Sequence, residues 1–124
     1  MNKRLSVKDL IARKEEIKNK KDETKELYIE SLDANIIIRK PDKALCLDAM
    51  DMGVKSGDEF LVYNSVVEPR LKDKELQSAY DCVTPSEIVD KIFEIGEISL
   101  IAKECISLAG FTDSVKVVDD VKKL

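Results

Sequence analysis

Along residues 66–110, VVEPRLKDKELQSAYDCVTPSEIVDKIFEIGEISLIAKECISLAG, apolar positions recur at helical spacing between well-marked breaks. Pro69 ends what precedes it. Asp73 suits the N-cap of a short helix carrying Leu76, Ala79 and Tyr80. Thr84-Pro85-Ser86-Glu87 has the form of a helix start, with Thr as N-cap, Pro at the first helical position and Glu closing a capping box. It predicts a helix over 85–94 that holds Ile88, Val89, Ile92 and Phe93 in the core. Gly96 breaks the following run, and Gly110 stands where a C-cap glycine belongs.

Upstream, the spacing changes twice. Ser6-Val7-Lys8-Asp9 is a capping-box start, and behind it Val7, Leu10, Ile11 and Ile17 share one helical face, interrupted by Lys14. This predicts a helix over 6–20, followed by a solvated, mobile link over 18–25. That apolar face has two readings: it packs on the domain core, or it is a docking surface for a partner. In ELYIESLDANIIIRK, residues 26–40, two aromatic and β-branched clusters flank Asp33-Ala34-Asn35. They predict a β-hairpin, which needs helices or another strand to pack on. Pro41 ends the second strand and opens a helix to about residue 52 with Ala44, Leu45, Ala49 and Met52 on its stripe. Residues 53–57 read as a loop. Asp58 then reads as the cap of a helix in which Leu61, Val62, Ser65 and Val66 share a face, up to Pro69.

These elements amount to an α+β fold, a mostly helical single domain with one β-hairpin. The division expected is a basic N-terminal helix and charged link (1–25), a hairpin plus helical body (26–111) and a charged C-terminal tail (112–124). With 124 residues, 44 % of them apolar and no Trp, the chain can build one core of Leu, Ile and Val with few aromatics. Charge sharpens the division. Residues 1–25 hold nine Lys/Arg against five Asp/Glu, a net of +4, and the other 99 hold twelve against twenty, a net of −8. No apolar run approaches the ~18–20 residues of a membrane span, and no hydrophobic run follows Met-Asn-Lys-Arg. The expected location is the cytoplasm, with no membrane contact.

Reactive chemistry is scarce. The chain has no histidine, which removes the commonest general base and metal ligand. Cys46, Cys82 and Cys105 are too far apart for a C-x-x-C motif and read as reduced, small, buried side chains. Gly53 and Gly57 are not followed by the Lys-Ser or Lys-Thr of a phosphate loop. Asp48, Asp51 and Asp58 lack the spacing of a calcium loop. Glu15-Glu16 and Asp119-Asp120 are neighbours in sequence and so diverge on a helix. No catalytic, cofactor-binding or metal-binding residue is singled out, and the function expected is binding, not catalysis. The alternative is a small regulatory protein that binds nucleic acid through a helix-turn-helix at 73–94. Glu87, Asp90 and Glu94 against one Lys91 on its recognition helix would repel phosphate.

Several segments together resemble the XkdN-like family of tail assembly chaperones from long-tailed phages and defective prophages. They are KDLIARKEEIK near the N-terminus, KKDETKELYIESLDANIIIRKP at 20–41, DEFLVYNSVVEPRLKDKELQSAYDCVTPSEIVDKIFEIGEI at 58–98 and LAGF at 108–111. The resemblance implies a small protein of the host cytoplasm, absent from the mature virion. It implies that the tape measure protein is bound and kept soluble while tail tube protein is recruited around it. It supplies no catalytic or partner-contacting residue. It also raises a ribosomal frameshift near the end of the gene, for which Lys122-Lys123 is a candidate slip site. The division between a basic arm and an acidic body is compatible with self-association into a homo-oligomer.

Overall fold

The hairpin forms where the β-branched residues cluster. In the computed structural model, which describes residues 4–112 and 114–118, strand β1 (Thr24–Ile29) runs antiparallel to β2 (Ala34–Arg39), with Leu27 opposite Ile36 and Lys25 opposite Ile38. The connection lies earlier than Asp33-Ala34-Asn35. A 3-10 turn, Glu30–Leu32, leads into Asp33 at φ 47°, and Ala34 and Asn35 are already paired in β2. Aspartate tolerates this left-handed conformation because its short side chain bonds locally; here it accepts the Tyr28 hydroxyl at 2.7 Å.

The hairpin finds both kinds of support that it needs. Its buried side chains, Ile29, Ile36 and Ile38, enter the helical core. Its second strand also pairs with β3 (Val66–Glu68), giving an antiparallel sheet in the order β1-β2-β3 with an irregularity beside Ile37 and Ile38. Residues 66–68 are therefore a strand and not the end of a helix. The open edge of β2 supplies hydrogen bonds to a β-branched Val66-Val67 pair just as the chain leaves its helix.

Helix α3 (Lys43–Asp51) is capped by Asp42, whose carboxylate accepts the Leu45 N–H at 2.8 Å. Pro41 precedes the cap instead of opening the helix. The inward face is narrower than expected: Cys46 and Ala49 are buried, while Ala44 and Met52 stay exposed. Helix α4 (Val54–Ser65) starts right after Gly53, at φ 82°, so residues 54–57 are helical and Asp58 lies inside the helix, not at its cap. Gly57 explains the difference. A Cβ there would collide with the Ala49 carbonyl oxygen, so glycine lets α3 and α4 touch backbone to backbone. Packing outweighs the roughly 1 kcal/mol helix penalty of glycine.

Helix α5 (Lys74–Ala79) begins as read, with the Asp73 carboxylate accepting the Leu76 N–H at 2.9 Å. Only Leu76 turns inward; Ala79 and Tyr80 are exposed. Helix α6 (Glu87–Ile92) keeps half of the expected box. The Glu87 carboxylate accepts the backbone N–H groups of Val83 and Thr84, but Thr84 caps no N–H, and residues 84–86 form turns ahead of the helix. Pro85 accordingly sits before the helix. The following break is at Phe93 and Glu94, both extended, and Gly96 lies in the first turn of α7 (Ile95–Leu108). There Glu94 and Glu97 form a capping box. Gly110, at φ 95°, closes α7 in a Schellman motif, with Gly110 N–H on Ser107 O at 3.0 Å and Phe111 N–H on Ile106 O at 3.1 Å.

The core lies where α4, α6 and α7 meet one face of the sheet. Ile38, Val62, Ile88, Val89 and Cys105 are wholly buried, and α7 alone buries Ile98, Ile101, Ala102 and Cys105. Leu71, between β3 and α5, joins them. The N-terminal segment differs. Its expected single helix divides at Arg13 into α1 (Val7–Ala12) and α2 (Lys14–Asn19), and a 3-10 turn, Lys20–Asp22, leads to β1. Residues 18–25 are exposed, as a solvated link should be, yet they carry regular structure. The Lys40 N–H donates to Glu23 O at 2.8 Å and so extends the hairpin ladder toward the arm. Lys122-Lys123 lies outside the described residues.

Candidate functional site

Among the apolar surfaces left exposed on the described residues, one on the arm and one on the body are edged by charge. The arm surface begins with a local capping box. The Ser6 hydroxyl accepts the Asp9 N–H at 3.1 Å, and the Asp9 carboxylate accepts the Ser6 N–H at 3.2 Å. That start sets the phase of the helix and places Val7, Leu10 and Ile11 together, with Ile17 one and a half turns on in α2. Val7 is 74 % exposed, Ile11 70 % and Leu10 44 %, and Ile17 is half-buried. All four border one shallow depression of about 570 Å³, whose other walls are Lys14 and Lys18. Neither α1 nor α2 buries a residue, so the face does not pack on the core. Arg13 and Glu16 pair at 2.6 Å across the break between the two helices, and the contact raises the Arg13 pKa and lowers that of Glu16.

The body surface is a groove of about 570 Å³ between β1 and α7. Its apolar lining is Leu27 and Ile29 from the strand with Leu100 and Ile101 from the helix. A polar clasp stands at each end. Lys25 Nζ meets Glu104 at 2.8 Å, and the Ser31 hydroxyl donates to Glu97 at 2.9 Å. Glu97 also accepts the Glu94 backbone N–H at 2.9 Å, and these contacts hold its carboxyl below the usual range, the Glu94 bond most strongly. Leu100 is 64 % exposed although α7 buries residues on both sides of it in sequence. Sequence reasoning missed this groove. An apolar residue off the buried stripe of α7 was the only local signal, and the opposing strand comes from far away in the chain.

Other groups are less suited to chemistry. Cys46 and Cys105 are buried, Cys82 is half-buried, and all three are free. Burial pushes the Cys105 thiol up to about 11, which keeps it protonated and poorly nucleophilic. Beside it, the wholly buried Ser65 hydroxyl has a weak contact with that thiol and no hydrogen bond of standard geometry. On α4, burial and then the facing Asp90 raise the Glu59 pKa. Helix α6 buries Ile88 and Val89, while Asp90 and Lys91 face solvent and Glu87 is partly exposed. That outer surface does not attract phosphate as a DNA recognition helix does. Among the described residues no group of His, Cys, Asp or Glu could hold a metal ion, and no helix is long and apolar enough to cross a membrane.

Residues 50–122 match the family model of phage XkdN-like tail assembly chaperone proteins. The matched segment runs from the end of α3 into the tail, so the arm and the hairpin precede it. Comparison with curated proteins and with solved structures gave no match.

Proposed function

The chain belongs to the phage XkdN-like tail assembly chaperone family, and on that premise we propose that it binds the tape measure protein in the host cytoplasm. It keeps that protein soluble until tail tube protein covers it, and it is absent from the finished virion. A tape measure protein is long and helical, and its helices present apolar seams before the tube closes around them. A chaperone for such a seam needs an apolar stripe edged by charge, with affinity low enough for later displacement. The arm face of Val7, Leu10, Ile11 and Ile17, edged by Lys14 and Lys18, meets that requirement. The observation that carries the reading is that a well-capped helical start leaves its apolar side in solvent. The protein acts by binding and is not an enzyme.

Co-expression with the tape measure protein of the same phage, followed by size exclusion, tests this. The two proteins should co-elute. The double variant Leu10→Asp, Ile11→Asp should lose the complex and keep its melting temperature. Co-elution of that variant would move the docking surface off the arm. Absence of any complex with the unaltered chain would overturn the tape measure reading itself.

A further inference from the structure

The groove between β1 and α7 is bordered by a strand whose outer edge pairs with nothing among the described residues, because β1 ends the sheet order β1-β2-β3. The ladder shows which backbone groups that edge offers. Glu23 and Lys40 are a hydrogen-bonded pair, and in an antiparallel ladder such pairs alternate with non-bonded ones. Lys25, Leu27 and Ile29 therefore turn their N–H and C=O groups toward β2. Thr24, Glu26 and Tyr28 turn theirs outward. Side chains alternate as well, so Leu27 and Ile29 lie on the face that meets α7. A strand added beside β1 would continue that face and lay every second side chain across Leu100.

We propose that this edge and groove bind an extended, basic segment of a partner protein by strand addition, its apolar side chains covering Leu100 between the Lys25–Glu104 and Ser31–Glu97 clasps. Backbone hydrogen bonds to Thr24, Glu26 and Tyr28 supply the affinity, and the groove selects alternating apolar residues. Charge selects the partner. The groove lining sets Glu30, Glu97 and Glu104 against Lys25 alone, and Glu26 stands on the edge itself, holding Asn35 at 2.9 Å. Lysine or arginine at the alternate positions stands beside Glu26 on the outer face, and one at the end of the apolar run reaches Glu97 or Glu104. A second copy of this chain does not fit, since pairing β1 with its own counterpart would bring two acidic rims together. The arm face takes a helix, so this surface is separate from the one assigned to the tape measure protein, and the reading holds or fails independently of that one.

The test uses the full chain and a capped ten-residue peptide that alternates valine with lysine and threonine. Three control peptides are needed: a scrambled order, one with glutamate for lysine, and a helix-forming one of equal charge. Binding is followed by amide hydrogen exchange and by titration. The alternating peptide should bind and slow exchange at Glu26 and Tyr28. Leu100→Glu and Glu26→Pro should each weaken it at least tenfold. Leu100 is exposed, and the proline removes an outward N–H of an edge strand together with the exposed Glu26–Asn35 bond, so both variants should nearly keep their melting temperature. If Glu26→Pro unfolds the protein, Leu100→Glu and the exchange pattern still decide. Equal binding of the helical or acidic peptide, or no slowing at residues 24–28 at millimolar peptide, overturns the proposal.

Discussion

The arm and the body are both helical, but different forces hold them. Helix α7 buries Ile98, Ile101, Ala102 and Cys105 against α4, α6 and the sheet. Helices α1 and α2 bury nothing and rest on a capping box and an exposed Arg13–Glu16 pair. Isolated helices of six residues are far below the ~12–15 needed for marginal stability in water. The arm is thus regular structure with little of its own to sustain it, and its apolar side is free to order on a partner. The body buries a full core and still leaves some apolar residues in solvent, Leu100 in the groove at β1 among them. A fold can in this way separate the part that must stay folded from the part that must stay available.

The contrast breaks if the body tolerates truncation. Phe93 is 4 % exposed, and Phe93→Ala should cost about 3–5 kcal/mol, read as a large fall in urea midpoint. A loss below about 1 kcal/mol would mean that Phe93 is not held by the core and that the body resembles the arm. Gly57→Ala comes next. Its methyl would press on the Ala49 carbonyl and should cost about 1–3 kcal/mol by separating α3 from α4. An unchanged midpoint would show that the two helices are free to slide apart.

A smaller effect comes from Glu59, whose pKa burial and Asp90 raise. A raised carboxyl favours the protonated folded state, so its contribution is present below the ordinary carboxylate range and lost as pH rises through its folded value. Glu59→Gln should therefore stabilise the protein at pH 7, with the gain vanishing below about pH 4. Glu87 and Glu97 act oppositely. Backbone N–H bonds lower both, so their contribution is present at neutral pH and lost on acidification through their folded values. A thermal series from pH 3 to 8 on the variant and the parent checks both signs; destabilisation of Glu59→Gln at pH 7 would refute the first. The smallest global effect belongs to the arm. Ser6→Ala removes a cap worth about 0.5–2 kcal/mol to its helix, so exchange should speed at residues 7–12 while the melting temperature stays put. A fall of several degrees would tie the arm into the core.

Many local signals in the chain are legible where local chemistry decides. Asp73 and Gly110 act as the caps their types suggest, and Ile88, Val89 and Phe93 are buried as their spacing requires. The hairpin also follows from its β-branched clusters. Two of the misreadings come from contact between distant segments. Gly57 looks like a loop residue until Ala49 is beside it. Val66 and Val67 continue a helical pattern until the edge of β2 competes for them. Gly96 looks like a breaker, yet the Glu94–Glu97 box starts α7 one residue earlier and the break falls at Phe93, which turns inward. The candidate surfaces divide similarly. The arm face is a single helical stripe, legible as a pattern. The groove exists only because β1 and α7 come together, and no stretch of sequence contains both.

One residue, Glu23, separates the 3-10 turn that ends the arm from the strand that borders the groove. The two surfaces are joined by a link too short to let them wander apart. If the two proposed contacts take one partner chain, a grip on either surface presents the neighbouring segment to the other at an effective concentration that is millimolar in order. Two contacts of modest strength then suffice for a long-lived complex, and each can let go by itself. An incoming subunit could peel such a partner away stepwise, never having to break the whole grip at once.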